Sequence, residues 1–153
     1  MQLLLIVKWI HVLAAIAAVG ANITYGIWIS RATHTPNELP FVLHTIRVID
    51  TRLANPCYGL LLLTGLMMAY LVPIPLTTPW LLTAIVLYVL AAFLGVSAYA
   101  PTMREQRKHL ETDGLESPGY KEAARKGNLL GILVTAAVIL IVFLMVVKPA
   151  LWS

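Results

Sequence analysis

The sequence predicts an all-α fold: a polytopic membrane protein made of a four-transmembrane-helix bundle, with short amphipathic helical segments on the cytoplasmic side. Three observations carry this reading. The 153 residues are 59% hydrophobic and only 12% charged, about half the roughly 25% charge of a soluble domain. Apolar runs recur that reach the roughly 20 residues a spanning helix needs. The charges collect in segments between those runs. The length suits a single membrane domain covering residues 1–153.

The first span is read at residues 4–29. Lys8 interrupts its start, whereas a secretion signal carries its positive charge ahead of the apolar stretch. The run is therefore expected to cross the membrane. Residues 53–103 contain no charge, too long a stretch for one span. Pro73, Pro75 and Pro79 divide it, because proline lacks the backbone donor and clashes inside a helix. The second and third spans are placed at about 55–71 and 80–99, with Pro101 just beyond. The fourth is placed at about 128–147, between Lys126 and Lys148.

The connecting segments differ sharply in charge. The first and third hold nine of the eleven basic residues, and the second, 72–79, holds none. The positive-inside rule then sets both basic loops in the cytoplasm and both termini outside. Trp9, Trp80 and Trp152 are expected at the outer interface, and Trp28, Tyr99 and Tyr120 at the inner one. The net charge of +4 follows from this topology and is not read as a nucleic-acid signal. The expected location is a bacterial cytoplasmic (inner) membrane.

Residues 41–54 alternate as an amphipathic helix, which either lies on the inner surface or extends the second span inward. Residues 104–110 extend the third span. Asp113-Gly114 and Ser117-Pro118-Gly119 signal turns, and a new helix from about Tyr120 leads into the fourth span. Asp50 with Arg47 or Arg52 suggests an ion pair beside the second span; Arg47, three residues before Asp50, shares its helical face.

The chemistry concentrates at Lys8 and His11. They lie one turn apart inside an apolar helix, where ionisable groups are costly and point to function. His11, Ala15, Ala18, Asn22 and Tyr25 recur at spacings of four, three, four and three, which makes one face. That face offers an imidazole, two small residues and an amide. It suits either a flat macrocycle or a tightly packed polar seam. Imidazole ligates haem and other metals. Alternatively, His11 hydrogen-bonds a neighbouring helix and Lys8 reaches out to the interface.

His34, His44 and His109 fall towards the other side, about 20 Å or more from His11 at 1.5 Å per residue. A bis-histidine haem would need His11 of a second copy. Met67 and Met68 lie nearer in depth, as a sixth haem ligand or, with His11, as soft ligands for copper. A single cysteine, Cys57, excludes an internal disulfide and a four-cysteine metal site. Ala91-x-x-x-Gly95 and Gly127-x-x-x-Gly131 permit close helix contacts, within one bundle or in a homo-oligomer or larger membrane complex. Membrane lipids are the other expected partners.

Three short motifs in order resemble the CopD-like and HemJ-like superfamily of small bacterial membrane proteins, nearest a branch of uncharacterised predicted integral membrane proteins. They are Lys8-x-x-His11, Asn55-Pro56 followed by Leu63-Thr64-Gly65-Leu66, and Val146-Val147-Lys148-Pro149. The resemblance implies a four-helix bundle and, by the HemJ-like side, haem b with His11 as ligand. The CopD-like side implies copper. HemJ-like proteins oxidise protoporphyrinogen and carry a lysine and a histidine in their third helix. This third span has neither, with Gly95-Val96-Ser97-Ala98-Tyr99 standing there. The expectation is a haem b protein engaged in electron transfer or tetrapyrrole handling. The cofactor site would be His11, Lys8, Ala15, Ala18 and Asn22. The alternatives are an accessory subunit of a larger membrane complex or a copper-handling protein.

Overall fold

Four helices account for nearly all of the chain in the computed structural model, which describes residues 1–151. They are α1 (Gln2–Ala32), α2 (Pro36–Leu71), α3 (Pro79–Thr112) and α4 (Pro118–Val147), each long and apolar enough to cross a membrane. No strand occurs among the described residues. Trp152, expected at the outer interface, lies outside them.

Each helix has 30 to 36 residues, against about 20 for the hydrocarbon core. The surplus is mostly at the arginine-rich end. Residues 39–49 extend α2 towards the arginine-rich end rather than forming a separate surface helix, and 100–112 extend α3 in the same direction. Ser117 caps α4 through its Oγ, which accepts from the Tyr120 amide at 3.2 Å. Pro118 takes the first helical turn, where its missing donor costs nothing. At the far end Lys148 adopts a left-handed conformation, φ 50°, and Pro149 prevents continuation.

The sequence places Pro56 near the start of one span and Pro101 beyond the end of another. In keeping with the helical extensions expected there, α2 and α3 run straight through them. Each proline follows a wide π turn, Asp50–Ala54 in α2 and Gly95–Tyr99 in α3. A proline ring collides with the carbonyl four residues back. Those carbonyls belong to Arg52 and Ser97, the middle residue of each wide turn. Widening the helix there moves the carbonyl aside and removes the demand for the absent donor.

Packing follows two regimes. At the arginine-rich end a water-type core forms from Tyr25, Leu39, Val42, Leu43, Ile46 and Tyr120 with their neighbours. Tyr120 is thus a core residue, 5% exposed, rather than an interface marker. Its hydroxyl accepts from Gln106 Nε2, which places it under the α3 extension. Along the spanning windows only 17% of residues are buried; lipid tails are as apolar as the side chains, so small residues drive contact there.

Helix α1 packs along α2, α3 packs along α4, and α1 also meets α4. Gly127 receives Met103 and Thr102, and Gly131 receives the Tyr99 ring, so this glycine pair does form a seam. Gly95 faces open space.

Candidate functional site

Along α1 the buried seam is Val7, Ala14, Ala18, Ala21 and Tyr25; it shares Ala18 and Tyr25 with the expected stripe and takes Ala14 and Ala21 in place of Ala15 and Asn22. Small residues at its centre bring the α1 and α2 backbones together. His11, Ala15 and Asn22 lie half-buried on its edge, where longer side chains reach across. Ala18 is 0% exposed and wholly enclosed by neighbouring side chains. Lys8 is exposed one turn further out.

His11 meets the Thr64-Gly65 pair of α2. Its Nδ1 is 2.8 Å from Thr64 Oγ1. Gly65 leaves the room: a Cβ there would stand 3.3 Å from His11 Cε1. The Thr64 hydroxyl donates back to the Leu60 carbonyl, the usual bond of a threonine inside a helix. A hydroxyl has one proton, and the carbonyl can only accept. Thr64 Oγ1 therefore accepts from His11, whose Nδ1 carries the ring proton. The Nε2 lone pair is left free, the arrangement by which hydrogen bonds orient ligating histidines. Hydrogen bonds between membrane helices average only about 0.6 kcal/mol. The pair fixes a tautomer more than it holds the helices together.

Further along the bundle, between its two ends, the polar chemistry is largely tyrosine. Asn22 hydrogen-bonds the Tyr58 hydroxyl, and the Tyr88 hydroxyl donates to the Tyr58 carbonyl at 2.7 Å, tying α3 to α2. The Tyr25 hydroxyl is buried without a hydrogen-bond partner among the described residues. Asp50 and Tyr99 line one cleft beside this group. Sequence reasoning singled out Tyr25 alone of this group for its stripe. The other three are scattered over α2 and α3, and helix packing brings them together.

Residues 5–149 match the family described as predicted integral membrane protein (DUF2269). The chain belongs to that family. No curated protein and no solved structure matches it. The expected kinship with an uncharacterised family of integral membrane proteins is thereby met at that level.

Within this DUF2269 chain the remaining candidates stand apart. His34 Nδ1 is bonded to the Ser30 carbonyl at 3.0 Å. His109 Nδ1 is 2.7 Å from Asp113, and His44 is exposed. Met67 is exposed and Met68 half-buried, one turn outward of Thr64 on α2. Cys57 is half-buried. Among the described residues no three His, Cys, Asp or Glu side chains converge as a metal cluster, so His11 stands as a single ligand-capable group. The expected ion pair of Asp50 with Arg47 or Arg52 is not formed among the described residues. Asp50 and Arg47 line one cleft, and Asp50 takes the Asn55 amide instead, at 3.5 Å.

Two carboxylates in the α3–α4 connection are held below their ordinary range. For Asp113 the main cause is the hydrogen bond from His109, then one from Thr112. For Glu116 it is Lys121, whose Nζ is 2.6 Å away.

Proposed function

We propose that this DUF2269 protein binds haem b through His11 and serves in electron transfer or tetrapyrrole handling. The observation that supports the reading is the His11–Thr64–Leu60 relay, which in the neutral ring favours the proton on Nδ1 and leaves Nε2 as the ligand atom. The donor set fits the group at this point: a neutral imidazole with a hydrogen-bonded Nδ1 is what an axial haem position uses. Lys8, one turn outward, supplies an ammonium for a propionate. Ala15 and Asn22 share the half-buried edge with His11, and Ala18 belongs to the packing beneath. The resemblance of Lys8-x-x-His11 to the HemJ-like opening supports the same assignment.

When bound, haem b supplies one-electron redox chemistry. The protein's part is to hold the imidazole tautomer through Thr64 and to keep water from the ligand in the outer half of the bundle. Among the described residues His34 and His109 are bonded elsewhere, so His11 would hold haem alone or together with His11 of a second copy. Loading at one haem per two chains would identify the second arrangement. In this reading the membrane is a bacterial inner membrane, with the arginine-rich loops cytoplasmic.

The test is a haem titration of the purified apoprotein, wild type against Thr64→Val, which keeps the shape and removes the acceptor. Loss of such a supporting hydrogen bond costs about 10–100-fold in metal affinity, and that weakening is expected here. Equal affinity of the two proteins would separate Thr64 from the site and remove the supporting observation.

A further inference from the structure

The two wide turns border one cleft. It has a volume of about 220 Å³ and lies between the inner parts of α2 and α3. Asp50 and Thr51 reach it from the first turn, and Tyr99 from the second. Arg47 stands on α2, and Arg104 and Arg107 one turn apart on α3; all three line the same cleft. Among the described residues, none of these arginines is in an ion pair. Arg104 spends only its Nε, on the Ala100 carbonyl, so its two terminal amino groups remain available.

Three arginines against one aspartate leave the cleft with a formal surplus of two positive charges. Such a gathering within one cleft repels itself unless an anion is present. Guanidinium groups pair with phosphate through two parallel hydrogen bonds, and the Tyr99 hydroxyl adds a neutral donor; the Thr51 hydroxyl is spent on the Arg47 carbonyl at 2.8 Å. The cleft also has an apolar wall, from Ile46 and Met103. It stands at the boundary of the uncharged stretch, residues 53–103, the depth at which lipid phosphates lie. π turns recur at functional sites, and here each one sets the register of the arginine-bearing segment beside it.

We infer that this cleft is a phosphate-ester site, built by the two π turns and independent of His11. The phosphate comes either from a phospholipid headgroup, whose glycerol end meets the apolar wall, or from a free phosphate compound. The experiment uses the full chain in maltoside detergent, titrated separately with dihexanoylphosphatidylglycerol and with inorganic phosphate. Arg104→Gln and Arg107→Gln are each expected to bind about tenfold more weakly than wild type, the scale of one charge-assisted hydrogen bond. Arg104→Lys, which keeps charge but loses the fork, should fall between.

Arg31→Gln and Arg125→Gln remove the same charge away from the cleft and from both wide turns, and should bind as wild type does. Whichever probe shows this pattern names the source of the phosphate. Binding of neither probe, or equal weakening in the two controls, would overturn the site. Unchanged helicity of each variant by circular dichroism separates a lost site from a lost fold.

Discussion

His11 and Thr64 are 53 residues apart in sequence, yet the behaviour of the histidine depends on the threonine. The anomaly of a histidine inside an apolar helix is legible at once. Its partner is not, because threonine at position 64 has an ordinary role in any helix, bonding its own backbone. Only the α1–α2 packing, with Gly65 clearing space for the ring, turns it into an acceptor. The same contrast holds at His109, where the ring sits beside a carboxylate in the loop. The Asp113 carboxyl is held low by that ring, so the contribution of the pair is present above the ordinary carboxylate range and is lost as pH falls through the lowered value. A carboxyl-carbon NMR titration of Asp113 should show a midpoint below about 3.9, the unperturbed value, and His109→Ala should raise it towards that value. An unchanged midpoint would detach the ring from the carboxylate.

At the scale of elements, hydropathy and charge are enough to place four spans and to predict their helical extensions. Proline is where such reading stops short. Taken alone, Pro56 and Pro101 mark helix limits, since local rules price a proline inside an α-helix as prohibitive. A π turn just ahead of each removes that cost and leaves no signal in composition. The extra residue also rotates everything beyond it. On α3 this aims Thr102 and Gln106, 1% and 2% exposed, at α4. Deleting Ser97, an exposed residue in the wide turn, should rotate the distal segment by about 100° and turn both side chains away. Thermal unfolding followed by circular dichroism is expected to show a clear loss of stability. A deletion protein as stable as wild type would mean that the turn does not set the register.

Across the whole molecule, charge divides the bundle into two ends with different work. The end with the short uncharged loop holds His11 at the edge of a small-residue seam, and the arginine-rich end has a packed core and the arginine-lined cleft. That division was legible from the distribution of eleven basic residues; the tyrosine cluster between the ends was not, since its members come from three helices. The orientation has a direct check. In a Cys57→Ser background, Thr77→Cys should react with a membrane-impermeant maleimide in intact cells, and Glu116→Cys only after permeabilisation; the reverse pattern would invert the topology. The assignment of His11 is the central claim, and it is tested most directly by the visible spectrum of protein purified from haem-replete cells. Wild type is expected to show a b-type Soret band that His11→Ala lacks while keeping the same helicity. A colourless wild type, or a band that survives in His11→Ala, would contradict it.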